Sequence, residues 1–532
     1  MRIKGYFLPS YIKEALGKSG LLKVGSGPFA ARPSVEVERL ELTPAALSMI
    51  ARLLRRRQSE LASYPGGNRT GGLRRLAACF AELDSPFRLE ALDTLEKICG
   101  YSRQMVSLLL DSFAEMVSQG RLDQSEAGLP PIQAATGFTR TPRGYARYYP
   151  RLAGLDRFFW PAGLPGERLP RLVGSIAAGN VPGISIIQAF FPVLVGAACL
   201  GKNSSDEPYF GTRFLEQLAS LESEHGLFPL SDLVCLVTFP ASEQALLQEL
   251  VHQADHLIVT GGHAAKQKLR MLMNRLRLRS RRDLKRRISG HWHKVSFDMV
   301  GRQFLSPEWL EKVAFNVAFD NSMFNTQGCL SCQQVFVEGS QEEALAFCEA
   351  YMQAMALILE DLPKGWDAHS GLREMYNHYE KIPGVKILTR LSHMGAEPFF
   401  AAYEDAPHEF AIFNALNRSI LIRRVERLEE DLPRLIEGVP NDLLQSCGIA
   451  VPSERLLPIA EILGRAGVNR IVPAGEIWDM LPGVESWDGY FPPYDLAYSQ
   501  PGYWTTIRFA DPASALRAAY QRDQEMLKRY CG

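Results

Sequence analysis

The sequence predicts an α/β protein of mainly parallel sheet, with two α/β units behind a mostly helical N-terminal region. Three observations carry that prediction. From about residue 168 short apolar runs alternate with single helical stretches, the rhythm of βαβ units. Several of those runs end in glycine or asparagine turns, as strands do at the ligand-binding edge of a parallel sheet. At 532 residues the chain exceeds what one core organises, so two or three domains are expected.

Residues 1–165 read as helical with an extended lead-in. LDTLEKICGYSRQMVSLLLDSFAEMV (92–117) spaces its apolar residues helically around an interruption at Gly100, and YPGGNRTGG (64–72) reads as a surface loop. Residues 166–295 form the first α/β unit. Its strands are RLVGSIAAG (171–179), LSDLVCLVTF (230–239) and DHLIVTGG (255–262), and its helices GISIIQAFFPVLVGAACLG (183–201) and SEQALLQELVHQA (242–254). Residues 296–490 form the second. KVSFDMVG (294–301) and QQVFVEG (333–339) are strands around the helix SPEWLEKVAFNVAFDN (306–321), and a long helix follows at 341–362. Short strands then cluster at VKILTRL, FFAAYE, EFAIFN and SILIRRVE (385–426), ahead of a strand–helix–strand run from CGIAVP to NRIVPAG (447–475). Residues 491–532 supply a final strand, YWTTIRF, and a charged helix, a candidate oligomerisation element.

Residues 172–201 carry no charge and are long enough to span a bilayer. A membrane helix must be continuous, and Asn180, Pro182, Gly183, Gln188 and Pro192 argue for a strand, a turn and a buried helix instead. Lys+Arg and Asp+Glu both number 59, so no global field points to nucleic acid or a membrane surface. Nine scattered cysteines, and no apolar stretch after Met1-Arg2-Ile3-Lys4, fit reduced thiols in the cytoplasm.

Cys329 follows Gly328, which permits close approach to the backbone, and precedes an anchoring strand. A thiolate there suits covalent attack on a carbonyl; the plain alternative is a structural cysteine. Cys329 and Cys332 also form a CxxC, but a strand follows where a redox motif needs a helix. No second ligand pair completes a metal site, His291-Trp292-His293 being the nearest candidate. Asn180, in AAGNVPG, is either an amide donor to an oxyanion or a turn residue. Lys202 binds ribose or phosphate oxygens if it ends a strand, or is a solvated lysine closing the buried helix. Thr260-Gly261-Gly262 suits a phosphate at a helix N-terminus, although glycine turns are common. The basic run 266–287 reads as an amphipathic helix with a solvated face, or as a dock for an acidic carrier protein or for cofactor phosphates. Its lack of interleaved aromatics argues against nucleic acid.

In order, GNVP, GKNSSDEP, DHLIVTGG, GHWHKVSF and QGCLSCQQVFV resemble the aldehyde dehydrogenase superfamily, and within it the LuxC acyl-thioester reductases. The resemblance spans roughly residues 90–500 and includes GYSRQMVSLLLDSF and WDGYFPPYDLAY. Asn180 and Lys202 stand 22 residues apart (202 − 180), close to the superfamily's interval. The resemblance implies an aldehyde dehydrogenase-like fold with a Rossmann-like cofactor domain and a catalytic domain. It makes Cys329 the nucleophile, Asn180 the oxyanion donor beside the Cys329 N–H, and Lys202 the ligand of the adenosine ribose. Gly261 and Gly262, after Thr260, take the turn facing the diphosphate.

Two departures shape the expectation. Gly290 stands where ordinary members carry the glutamate that activates water, which favours thioester reduction over oxidation of aldehyde to acid. Ser205 is neutral where NAD-preferring members often carry a glutamate, which implies NADPH, with NADH as the alternative. The superfamily's GxGxxxG stretch is absent around TFPASEQ (238–244). The expected reaction reduces a fatty acyl thioester to the aldehyde through acyl-Cys329, with His291 or His293 as candidate proton donors. Expected partners are an acyl carrier protein, or an acyl-transferase or synthetase, and further copies of the chain. The rival readings are an aldehyde dehydrogenase producing acid and a non-enzymatic interaction protein that keeps the fold.

Overall fold

The computed structural model describes residues 1–29, 32–62, 71–117, 138–141, 144–147, 170–194, 196–276, 288–365, 372–389, 398–412, 416–480, 485–490, 505–508 and 511–530. The N-terminal region is not purely helical. β1 (Arg2–Lys4), β2 (Val24–Phe29) and β3 (Arg32–Leu40) form a small sheet in the order β1-β3-β2. The Gly-Ser-Gly-Pro run inside β2 hides that strand from propensity, since all three residue types are poor or turn-favouring strand formers. β4 (Phe138–Thr141) and β5 (Gly144–Arg147) pair as an antiparallel hairpin.

The first parallel sheet contains β6 (Leu172–Ile176), β7 (Ala198–Lys202), β8 (Val234–Val237), β9 (His256–Gly261) and β10 (Ile288–Trp292), ordered β10-β9-β6-β7-β8. The chain moves outward from β6 to β8, then restarts on the other side of β6 with β9. That reversal opens a crevice at the carboxyl ends of β6 and β9, the ligand position of doubly wound sheets. The uncharged stretch 172–201 divides into β6, the helix Ile184–Leu194 and β7. The helix therefore stops earlier than its apolar run suggested, and Lys202 ends a strand rather than closing a helix. Among the described residues no helix is long and apolar enough to cross a membrane.

The N-terminal residues pack onto this sheet. Phe7 and Leu236 of β8 exchange backbone hydrogen bonds at 2.8 and 3.0 Å. Leu47 and Leu54, from the helix Pro44–Ala62, share a core with Leu172, Leu200 and Cys235. Phe80, Phe113, Phe210 and Phe214 lock the helices Gly71–Ala81 and Arg103–Val117 to the helix Phe210–Glu224. Each fully buried phenylalanine contributes about 1.5–3 kcal/mol of transfer free energy.

The second sheet has eight strands in the order β13-β14-β15-β12-β11-β16-β17-β18. They are β11 (Val295–Val300), β12 (Cys332–Glu338), β13 (Val385–Ile387), β14 (Phe400–Asp405), β15 (Ser419–Val425), β16 (Leu444–Ala450), β17 (Arg470–Pro473) and β18 (Thr506–Ile507). All pairings are parallel except β13–β14. Residues 409–412 of EFAIFN are not strand. β18 extends the second sheet and the helix Pro512–Tyr530 shares its core through Leu516, so the tail belongs to that half. Of the basic run, residues 266–275 lie on the helix His263–Arg275, with Lys266 paired to Asp442 at 2.8 Å. Residues 277–287 and 491–498 lie outside the described residues.

Candidate active site

Cys329 sits just before β12, at the amino edge of the second sheet. The approach to it is unusual. Phe324, Asn325 and Thr326 all have left-handed backbone, with φ of 51, 49 and 61°. Such conformations cost about 1–3 kcal/mol per non-glycine residue and persist only when the surroundings over-determine them. Here a second left-handed run, Leu416–Asn417–Arg418, grips the first. The Asn417 N–H donates to the Asn325 carbonyl at 2.7 Å, and the Arg418 N–H to Thr326 Oγ1 at 2.9 Å. The buried Arg418 guanidinium donates to Asn325 Oδ1 at 3.1 Å and to the Leu362 carbonyl at 2.7 Å. On the far side Ser331 Oγ donates to the Met323 carbonyl at 2.8 Å, and Ser296 Oγ to the carbonyl of Cys329 itself at 2.6 Å.

Cys329 keeps part of its surface, yet its thiol is enclosed. Burial pushes the thiol up to about 12, and the charge of Asp488 adds to that. The Gln445 amide and the Lys294 ammonium pull the other way. The Gln445 amide atoms reach no full hydrogen-bonding geometry, with Sγ or any other group, so its effect on the thiol is a weak polar one. Gln445 lies on β16, and Lys294 precedes β11 with Nζ 3.4 Å from the Leu444 carbonyl.

Asn180 is brought to this loop. Its Nδ2 donates to the Gln327 carbonyl at 2.9 Å, two residues before Cys329, and its own carbonyl accepts from the Tyr101 hydroxyl. A side chain on Gly328 would meet Phe324 and Ser331 at 3.4 Å and Val181 at 3.7 Å, so the two turns touch. The carboxyl edge of the first sheet thus faces the amino edge of the second.

The remaining expected residues line the first sheet's crevice. Lys202 is buried, its Nζ 3.1 Å from the Asn203 carbonyl and 5.3 Å from the Phe239 ring centre; burial lowers its pKa against the pull of Asp206. Ser205 is half-buried in the turn that follows. Ser204 Oγ would lie 2.4 Å from a Cβ on Gly179, so the GNVP and KNSS turns require glycine there to sit together. Gly262 caps the helix His263–Arg275, with no side chain bonded to its first turn and open space where a Cβ would stand. Uncapped amides beside empty space fit a diphosphate. Thr260 is engaged elsewhere. Its Oγ1 accepts from the Ala178 N–H at 3.0 Å and from Gln188 Nε2 at 2.9 Å, bracing the GNVP turn. Its expected contact with a cofactor finds no support in this geometry.

Of the two histidines, His293 is largely exposed, and partial burial of its ring lowers its pKa. His291 is buried, with Nδ1 2.9 Å from Asp488 Oδ2 and its ring stacked on Trp487 at 3.8 Å. Asp488, Gln445 and Lys294 are not marked out by the sequence. Lys294 and Asp488 fall inside the quoted motifs GHWHKVSF and WDGY, but only tertiary folding brings them to the thiol. Cys332 is buried beside Asp298, which with burial raises its pKa, and neither CxxC sulfur is in a disulfide. Among the described residues no cluster could hold a metal ion.

The salicylaldehyde dehydrogenase of Pseudomonas putida G7, solved with salicylaldehyde, is similar with a TM-score of 0.59 at 10% identity, over 92% of this chain and 93% of that one. The NADP-dependent glyceraldehyde-3-phosphate dehydrogenase of Bacillus halodurans C-125, solved with NADP, gives 0.54 at 14% identity over 84% and 87%. The fold is therefore that of the aldehyde dehydrogenases. In sequence the chain is 23% identical over 319 residues to a long-chain acyl-protein thioester reductase of Aliivibrio fischeri. That match spans 56% of this chain and only 57% of the relative. Residues 167–498, well over half of the sequence, match the family model of acyl-CoA reductase (LuxC), and the chain belongs to that family.

Proposed function

We propose that this protein reduces a long-chain fatty acyl thioester to the aldehyde through an acyl-Cys329 intermediate, with NADPH as the preferred cofactor and NADH as the alternative. The observation that carries the reading is the meeting of two sheet edges: the strained loop aims Cys329 at the crevice edge that also presents Asn180. The thioester donor is coenzyme A, an acyl carrier protein or a partner acyl-transferase or synthetase, in keeping with relatives that are long-chain acyl-protein thioester reductases.

The residues divide the work. Cys329 Sγ attacks the acyl carbon, and the thiolate of the donor leaves. Asn180 Nδ2 and the Cys329 N–H hold the negative charge that develops on the carbonyl oxygen. Lys202 would hold the adenosine ribose, Gly261 and Gly262 the diphosphate, and Ser205 leaves room for a 2′-phosphate. A reduced nicotinamide bound there supplies hydride to the acyl carbon. Breaking of the carbon–Sγ bond then frees the aldehyde and returns Cys329.

Gly290 favours this outcome over oxidation to acid. A Cβ there would lie 2.5 Å from the Trp292 indole, so a glutamate at 290 requires the ring to move. Without that carboxylate the acyl group on Cys329 lacks the superfamily's usual water-activating base and survives to be reduced.

The test is intact mass after incubation with palmitoyl-CoA, followed by NADPH and product analysis. The wild type gains one palmitoyl group and then yields hexadecanal; Cys329→Ala gains none. Absence of the adduct on the wild type, or acid in place of aldehyde, removes the reading.

A further inference from the structure

Beside the crevice lies a buried histidine–aspartate pair. His291 is on β10, next to Thr260 of β9 in the sheet register. Its ring is buried, stacked on Trp487 and set edge-on to Tyr490 at 5.5 Å. Nδ1 meets Asp488 at 2.9 Å, while Nε2 is buried and meets no partner. A buried ring nitrogen left open is costly, and such groups call for an explanation. Asp488 has been built into place at some expense. Its backbone is left-handed at φ 55°, and the segment that carries it is stapled to the sheet three residues earlier. There Glu485 accepts from Arg470 Nε at 2.7 Å and Arg508 Nε at 2.6 Å.

We propose that His291, oriented by Asp488, is the general base and acid of Cys329, acting through an intervening water. This rests on the acyl-transfer reading above. Three observations support it. The charge of Asp488 bears on the thiol, and the same carboxylate holds His291 Nδ1 at 2.9 Å. The chain runs from His291 through Lys294, whose charge also reaches the thiol, to Ser296, which holds the Cys329 carbonyl. Most directly, an enclosed thiol does not ionise unaided at neutral pH, so a nucleophilic Cys329 needs a proton acceptor at hand.

The proton balance closes without any further reactant. Nδ1–H donates to Asp488, so the neutral ring offers the Nε2 lone pair. Through that water Nε2 takes the Cys329 proton as Sγ bonds to the acyl carbon. The tetrahedral centre then collapses, the bond to the donor sulfur breaks, and that sulfur takes the proton back from Nε2. Asp488 holds the ring's orientation and offsets its transient charge. The titratable groups set against the ring are Asp488 at 2.9 Å and Tyr490 at 5.5 Å from the 485–490 segment, while Asp488 and Lys294 bear on the thiol.

The test reads the thiol itself, free of cofactor. Iodoacetamide alkylation of Cys329 is followed by peptide mass from pH 6 to 10 in the wild type, His291→Gln and Asp488→Asn, each checked for folding by thermal melting. The wild type alkylates at pH 7. His291→Gln is slowed at least about tenfold there and recovers as pH rises, and Asp488→Asn falls between. Palmitoyl-CoA acylation rates follow the same order. If His291→Gln folds and alkylates at the wild-type rate at pH 7, the proposal is overturned; should it fail to fold, Asp488→Asn at the wild-type rate has the same consequence. A wild-type Cys329 as inert at pH 7 as Cys332 also overturns it. His291-dependent alkylation without any acylation keeps the base and removes the acyl-transfer reading.

Discussion

The two sheet edges that meet at Cys329 are built on opposite principles. On the edge that carries Cys329, hydrogen bonds from Asn417, Arg418, Ser331 and Ser296 pin the loop, three consecutive non-glycine residues are held left-handed, and a buried arginine braces them. On the edge proposed to take the cofactor the candidate positions are small residues and gaps. Gly262 has open space above it, Ser205 is half-buried, and Gly179 is small because Ser204 must pass beside it. A nucleophile must be fixed to a fraction of an ångström, while a large ligand must be admitted and released. Strain with dense bonding suits the first need, and open glycine turns suit the second.

The sharpest way to break this arrangement is at the residue that crosses it. Asn180→Ala removes the amide between the edges. It is expected to lower kcat by about 10²–10³, the cost of an oxyanion donor, with thermal stability nearly unchanged because the side chain is exposed. Single-turnover reduction of pre-acylated protein measures this, and a loss below about threefold would remove Asn180 from the reaction. Next comes the brace. Arg418→Met strips Asn325 Oδ1 and the Leu362 carbonyl of a donor in a buried site, at about 1–3 kcal/mol per unsatisfied group. Denaturant unfolding should show that loss, and Cys329 alkylation should slow as the left-handed run relaxes. Unchanged alkylation alongside lost stability would show that the strain does not aim the thiol.

The cofactor edge should respond differently. Gly262 has φ −75° and ψ −178°, extended backbone that any residue adopts. Gly262→Val is therefore unstrained and loses only what a poorer N-cap loses, about 1 kcal/mol, while the new methyls occupy the space assigned to the diphosphate. NADPH affinity by fluorescence titration is expected to fall about tenfold, without change in the palmitoyl adduct formed in its absence. An effect on the adduct would mean that the two edges are not separable.

How much of this is legible in the sequence follows the same division. The cofactor edge is written in short local motifs, because glycine turns between apolar strands leave a mark at each position. Asn180, Gly261 and Gly262 are the candidates that such motifs mark, and the Asn180–Lys202 interval ties the turns together. The catalytic edge is legible only at Cys329. Phe324–Asn325–Thr326 gives no sign of left-handed backbone, since its stability comes from residues about 90 positions later. His291 and Asp488 are 197 residues apart, and nothing local pairs them. Two departures from expectation are matters of period. The apolar run 183–201 hides a helix-to-strand change because its described helical part is mostly buried and its strand fully so, and the polar, glycine-bearing β2 does not alternate as a strand should. Thr260 reads as part of a ligand turn, whereas its hydroxyl serves the neighbouring turn.

The smallest expected effect concerns stability rather than rate, and it contrasts the halves once more. On the cofactor half burial raises Glu222 to about 8, against the pull of Ser231. On the catalytic half burial would raise Glu485 too, but Arg508 and Arg470 outweigh it and hold it at about 2. The signs follow from proton binding. Folded Glu222 binds its proton more tightly than the unfolded chain, whose glutamates titrate near ~4.3. Its stabilising contribution is therefore complete below that value and is lost as pH rises towards 8. Folded Glu485 binds its proton more weakly, so its contribution is present above the unfolded value and is lost as pH falls towards 2. Glu222→Gln should flatten the fall in melting temperature between pH 5 and 8 and leave the acid limb alone. Glu485→Gln removes the partner of the buried Arg470 and the half-buried Arg508 and should lower stability most at neutral pH, with the difference from wild type shrinking in acid. A Glu222→Gln variant whose melting curve keeps the wild-type slope between pH 5 and 8 would show that this carboxyl does not set it.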